Sequence, residues 1–280
     1  MTRIFVFPGQ GSQQAGMGAD LFPRFAELVA QADAILGYSV ADLCARDPEG
    51  RLGQTQYTQP ALFVVNALSH LARVAAGEQP QFLAGHSLGE YNALFAAGVF
   101  DFATGVKLVQ RRGALMAQAQ GGGMAAVLGL DAPAVARVLA EQHFDTIDVA
   151  NYNAPTQTVI SGPRADVERA QTAFMAAGAR MYVLLKVSGA FHSRYMAAAA
   201  TEFGAFLRGF TFQAPRVPVI ANADAQPYAA SDVADKLTRQ ITHGVRWTDT
   251  VERLLREPEA EFIEVGPGNV LTKLIRQCRK

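Results

Sequence analysis

Cysteine is scarce in this chain. The two residues present, Cys44 and Cys278, lie far apart and make neither a disulfide framework nor a Cys-x-x-Cys ligand pair, which points to a reducing cytoplasm. An excess of one charge is missing too. The 25 Lys and Arg residues equal the 25 Asp and Glu residues, which excludes the basic balance of a dedicated nucleic-acid binder and leaves any charged partner to a local patch. Long apolar runs are lacking. The stretch Leu52 to Ala72 is free of Asp, Glu, Lys and Arg, but Gln54, Gln56, Gln59, Pro60, Asn66 and His70 interrupt it, so no transmembrane helix is expected. The run Ile4 to Phe7 ends at Pro8 and is too short for a signal-peptide core. Neither Gly121 to Gly123 nor Gly266 to Gly268 completes a phosphate-binding glycine motif, and no internal repeat, low-complexity tract or Ser/Pro linker is found.

What is present is enough apolar sequence to fold. Hydrophobic residues make up 50% of the 280 and charged residues 18%, as in a compact soluble protein of one large or two modest domains. Short β-branched and aromatic runs alternate with helical patterns. Ile4 to Phe7 reads as strand, Asp20 to Leu36 and Pro60 to Ala76 as helices, Gln81 to Ala84 as strand, and Leu88 to Ala97 and Ala103 to Gln118 as helices. After Gly121, Gly122 and Gly123, which suit a helix end or hinge, the order becomes βαββαβ, a ferredoxin-like unit ending with a strand over Arg180 to Val187. The α/β pattern then resumes. It comprises a helix around Tyr195 to Leu207, a strand at Val217 to Ala221, helices at Val233 to Ile241 and Trp247 to Arg256, a strand at Glu261 to Val265 and a helix at Val270 to Arg276. The expected fold is a large α/β-hydrolase-like domain, residues 1–120 and 190–280, with an inserted ferredoxin-like domain, residues 121–189.

Gly85, His86, Ser87, Leu88 and Gly89 form a G-x-S-x-G string on the turn between a strand and a helix, where small residues permit a bend that presents the hydroxyl. The free N–H groups of the following helix point to the same spot and suit a developing oxyanion. The bland alternative is a capped turn with Ser87 and Glu90 as a capping box. Serine needs a base. Of the five histidines, His70 lies inside a helix, His143 in the small unit and His86 beside the serine; His192, in a small-residue loop, and His243, in a later loop, are the rival bases. Arg111 and Arg112 point about 100° apart on one helix. Leu108, Val109, Leu115 and Met116 surround Arg112 at helical spacing and place it on an apolar face, where its permanent charge needs an anion. That anion is either an internal Asp or Glu or a substrate carboxylate.

Together, several motifs resemble the malonyl-CoA:acyl carrier protein transacylase family. They are Phe7 to Gln13, GHSLGE at 85 to 90, Arg112, GAFHS at 189 to 193 and EVGPGNVL at 264 to 271. The resemblance spans essentially the whole chain, and the βαββαβ insertion matches it. It implies ping-pong transfer, in which Ser87 takes malonyl from malonyl-CoA and passes it to the phosphopantetheine thiol of an acyl carrier protein, with His192 as base. The histidine would be oriented by a backbone carbonyl from Gly244 to Trp247, the Gln10 and Leu88 N–H groups would form the oxyanion hole, and Arg112 would bind the malonyl carboxylate. Asn153 would belong to the active-site wall, and Phe191, with Leu88, would favour malonyl over methylmalonyl. No metal or cofactor is implied. The form GAFHS points to a discrete enzyme serving polyketide synthase carrier domains in trans, with fatty acid synthesis second; a cytoplasmic monomer is expected, docking carrier proteins through Arg164, Arg169, Arg180, Lys186 and Arg194. One rival is a serine esterase or thioesterase using His243 with Asp224 or Asp232. A family acyl hydrolase would lack Arg112, and a non-catalytic carrier-binding protein would lack the Ser–His pair.

Overall fold

The apolar run Ile4 to Phe7 is buried on both sides. In the computed structural model, which describes residues 1–47 and 49–279, Phe5 and Phe7 join one hydrophobic cluster while Ile4 and Val6 join another on the opposite face. A strand covered on both faces reads as a continuous apolar run. The chain forms β1 (Thr2–Phe7), α1 (Ala26–Leu36), α2 (Val40–Ala45), α3 (Thr55–Ala75), β2 (Phe82–Gly85), α4 (Gly89–Ala96) and α5 (Phe102–Ala117). There follow β3 (Gly122–Leu128), α6 (Ala132–Glu141), β4 (Asp148–Ala154), β5 (Gln157–Pro163), α7 (Arg164–Ala176) and β6 (Met181–Leu184). The remainder is α8 (Ala197–Leu207), β7 (Val219–Ile220), α9 (Val233–Thr242), α10 (Trp247–Leu254), β8 (Ala260–Glu264) and α11 (Val270–Cys278).

Strands β7, β2, β1 and β8 lie in that order in a parallel sheet. Its register pairs Phe7 with Gly85, so the loops leaving the carboxyl ends of β1 and β2 are neighbours. In open parallel sheets this end is where ligands bind. The second sheet, in the order β4, β5, β3, β6, is antiparallel throughout, the ferredoxin-like arrangement. Ala125 and Val127 of β3 pack with α6 and α7, whereas Met124 and Ala126 pack into the core of the parallel sheet's helices. Strand β4 of the second sheet is also tied to the segment between α9 and α10 through Val245, whose N–H donates to the Ala150 carbonyl at 2.8 Å and whose carbonyl accepts from the Tyr152 N–H at 2.9 Å.

Several boundaries differ from the sequence expectation. The first helix starts at Ala26, because Pro23 sets off a separate 3₁₀ turn over Pro23–Phe25. Helix α3 starts five residues before Pro60 and contains it; one helical hydrogen bond is forfeited, and packing against α5 holds the turn. Gly122 and Gly123 belong to β3, and the bend falls on Gly121 alone, at φ +73°. Pairing in β7 begins only after Pro218, which has no N–H to give. Helix α2 carried no clear signal in the sequence. Among the described residues no helix is long and apolar enough to cross a membrane.

Candidate active site

Ser87 sits where β2 turns into α4, with φ +51°. A Cβ on Gly85 would come within 2.0 Å of the Gly89 carbonyl carbon, and one on Gly89 within 2.0 Å of the Phe7 carbonyl oxygen, so the G-x-S-x-G glycines are demanded by close backbone contact. Glu90 does not form the capping box. The Ser87 N–H instead donates to Asn222 Oδ1 at 2.7 Å, and Asn222 Nδ2 donates to the Gly85 carbonyl at 2.7 Å, gripping the turn from both sides of His86.

Ser87 Oγ lies 2.8 Å from His192 Nε2. The other ring nitrogen, Nδ1, is 2.8 Å from the backbone carbonyl of Gln240. A carbonyl only accepts, so Nδ1 carries the proton and Nε2 is free to take one from the serine. The orienting carbonyl is therefore that of Gln240 in α9, and not one from Gly244 to Trp247, because α9 runs on to Thr242 and passes Gln240 beside the ring. Burial, with the Arg112 charge second, lowers the His192 pKa to about 3 and keeps the imidazole neutral.

Arg112 is completely buried, yet its hydrogen bonds go to neutral groups: Gln59 Oε1 at 2.8 Å, Gln240 Oε1 at 2.9 Å and Ser87 Oγ at 3.2 Å. Its guanidinium lies over the Tyr91 ring, 5.5 Å from the centroid. Among the described residues it makes no ion pair, so the internal salt bridge left open by the sequence is not formed. Arg111 pairs instead with Glu202 at 3.1 Å on the surface.

A cavity of about 110 Å³ opens on these groups and is lined among others by Gln10, Leu88, Phe191, Met116 and Leu185. The backbone N–H groups of Gln10 and Leu88 donate to no protein acceptor among the described residues, which leaves both available to a ligand oxygen. Asn153 reaches the site only through His86, whose Nε2 it meets at 2.8 Å; Asn151, two residues earlier on β4, is the one that lines the cavity. His86 is half-buried, edge-on against Trp247. His243 is capped by its own helix at the Arg239 carbonyl, and Asp224 and Asp232 both face Lys236, so the esterase set is not assembled. Among the described residues no group of three His, Cys, Asp or Glu side chains is placed to hold a metal.

Gln59, Gln240 and Asn222 carry no functional expectation in the sequence, and Glu90 only that of a capping-box partner. Gln240 had a signal: with Val233, Leu237 and Ile241 it falls on the apolar stripe of α9, the pattern that singled out Arg112.

A serine hydroxyl at a strand-to-helix turn, an oriented imidazole and two N–H groups without a protein acceptor among the described residues have the geometry of a serine acyltransferase or hydrolase site on an α/β fold. The acyl transferase domain family matches residues 4–280, and the chain belongs to that family. It is 53% identical to the polyketide biosynthesis malonyl CoA-acyl carrier protein transacylase PksC of Bacillus subtilis, over 99% of this chain and 96% of that one. The crystal structure of malonyl CoA-acyl carrier protein transacylase from Burkholderia pseudomallei superposes with a TM-score of 0.96 at 49% identity, covering 100% of this chain and 98% of the other. A type II polyketide synthase acyl-carrier protein in complex with its malonyl-transacylase matches with a TM-score of 0.94 at 38% identity, covering 99% and 93%.

Proposed function

We propose that Ser87 and His192 move a malonyl group from coenzyme A to the phosphopantetheine thiol of an acyl carrier protein in two transfers. The chain is an acyltransferase of the malonyl-CoA:acyl carrier protein type, and what supports malonyl as cargo is Arg112, a wholly buried guanidinium beside the nucleophile with no carboxylate of its own. In the first transfer the Ser87 hydroxyl gives its proton to His192 Nε2 as Oγ attacks the thioester carbonyl. The oxyanion is met by the Gln10 and Leu88 N–H groups. As the C–S bond breaks, His192 returns the proton to the coenzyme A sulfur. In the second transfer the carrier thiol is deprotonated by His192, attacks the malonyl ester, and Ser87 leaves with the proton. Arg112 lowers the proton affinity of His192 in the free enzyme. A malonyl carboxylate paired with Arg112 offsets that charge, so the correct cargo also strengthens the base.

Phe191 and Leu88 crowd the α-carbon of the cargo, and Asn151 replaces Asn153 as the wall residue contributed by β4. Residues 1–120 and 190–280 act as the catalytic domain and residues 121–189 as an inserted domain that closes the cavity. The reaction needs no cofactor or metal, takes place in the cytoplasm and supplies polyketide carrier domains in trans, a reading supported by the likeness to PksC.

The test is incubation with malonyl-CoA alone, followed by peptide mapping. A malonyl ester on Ser87, absent in Ser87→Ala, is expected; an adduct on any other residue overturns the reading.

A further inference from the structure

Glu90 is fully buried one helical turn after the nucleophile, and the reaction above does not use it. Its carboxyl meets three donors. Oε1 accepts from the Asn222 N–H at 2.8 Å and the Tyr228 hydroxyl at 2.7 Å, and Oε2 accepts from Gln240 Nε2 at 2.5 Å. Each partner leads back to the site. Asn222 grips the Ser87 turn, and Gln240 supplies the carbonyl on His192 Nδ1. The Gln240 side chain also donates to the Ser87 carbonyl at 2.7 Å while its Oε1 accepts from Arg112. The orientation of that amide is fixed, since flipping it would set oxygen against the Ser87 carbonyl and N–H against the guanidinium. Glu90 therefore faces donors only, the environment of an ionised carboxylate.

We propose that Glu90 is a positioning residue: its carboxylate, acting through Gln240 and Asn222, holds the Ser87 turn, His192 and Arg112 in register. The inference rests on the acyl-transfer reading. The titratable or charged groups facing the carboxylate are Tyr228 from the loop before α9, Arg112 from α5 and Tyr91 from its own helix. Burial raises the Glu90 pKa to about 7 despite the donors and Arg112, which lower it. Protonation at or below neutrality thus removes the negative charge and sets an O–H among donors. His192, held neutral well below that range, does not produce the same acid limb.

The experiment measures steady-state malonyl transfer from malonyl-CoA to pantetheine as acceptor thiol in the full chain, with kcat and KM determined across pH, alongside formation of the Ser87 adduct without acceptor and the melting temperature. Glu90→Gln keeps the shape but turns an N–H₂ toward Gln240. A fall in kcat of about 10- to 100-fold is expected, the range for losing a hydrogen bond to a charged group. KM should stay level, because Glu90 does not line the cavity, and the acid limb should disappear. Tyr228→Phe removes one donor to the carboxylate and should move the acid limb upward by about half to one pH unit. A Glu90→Gln enzyme with wild-type kcat, one that keeps the acid limb, or one whose KM rises as its kcat falls overturns the proposal. If Glu90→Gln does not fold, an unmoved limb in Tyr228→Phe does so alone. Absence of the Ser87 adduct in the wild-type chain would instead overturn the acyl-transfer reading.

Discussion

The arginines around the small sheet and the arginine beside Ser87 carry the same charge in opposite surroundings. Arg194 is exposed and forks onto Asp148, Arg169 meets Asp166 at 3.1 Å, and Arg164 lies 3.8 Å from Glu168 while also donating to the Val187 carbonyl. Each has found its own counterion in water, where such pairs contribute about 0.2–1 kcal/mol and weaken with salt. Arg112 is dry and has only neutral partners. A cation that has been desolvated but not neutralised selects its ligand by charge, whereas a solvated and paired cation only tunes approach. The buried region should therefore govern which acyl group is carried, and the rim how quickly a carrier arrives.

The contrast is broken most severely at the proposed base. His192→Ala should slow self-acylation by about 10²- to 10⁴-fold, while His243→Ala, on the exposed side of the same helix end, stays near wild type; rapid-quench kinetics with malonyl-CoA gives both rates, and the reverse order would restore the esterase arrangement. Arg112→Ala comes next. Losing one partner of a buried ion pair costs about 3–5 kcal/mol, roughly a hundredfold to several thousandfold in malonyl transfer. Acetyl transfer should be kept or improved, and Arg111→Ala should change little. Equal loss for malonyl and acetyl would make Arg112 a structural residue.

Phe191 sharpens the comparison from the apolar side. It is buried beside His192 and lines the cavity. Pocket shape discriminates one methyl by about 10- to 200-fold, so malonyl should be preferred over methylmalonyl in direct competition, and Phe191→Ser should narrow the gap. Comparable wild-type loading of both would reduce Phe191 to core packing. The smallest effects belong to the rim. Single Ala substitutions at Arg164, Arg180, Lys186 or Arg194 should reduce carrier loading by less than about fivefold each, in keeping with solvent-screened charges. Raising salt should weaken carrier loading and leave self-acylation alone; salt-independent loading would show that docking is not electrostatic.

The parts of the site that were legible in the sequence are those written locally. The glycines around Ser87 are spaced by a single turn, and the burial of Arg112 is written in the apolar residues at i−4, i−3, i+3 and i+4. The orienting carbonyl of Gln240 was not legible, because every residue has one and only the course of α9 decides which meets His192. Glu90 and Asn222 lie 132 positions apart, so the clamp on the nucleophile exists only once β2 and the segment after β7 are neighbours. In the fold, the two sheets were legible from the change in element order. The bounds moved where proline or glycine acts in context: Pro60 is tolerated inside α3, and Pro218 shortens β7.

The pairing of β1 with β8 carries a consequence for how the chain is made. Strand β1 leaves the ribosome long before residues 260–264, the partner of one of its two edges, are synthesised. The four strands of the second sheet all lie within residues 122–184, with a core of their own, and can assemble while that edge still waits. Contacts so distant in sequence form slowly, and an unpaired apolar strand invites other chains. Translation speed between β1 and β8 and chaperone supply should therefore set the yield of soluble enzyme more than assembly of the second sheet does.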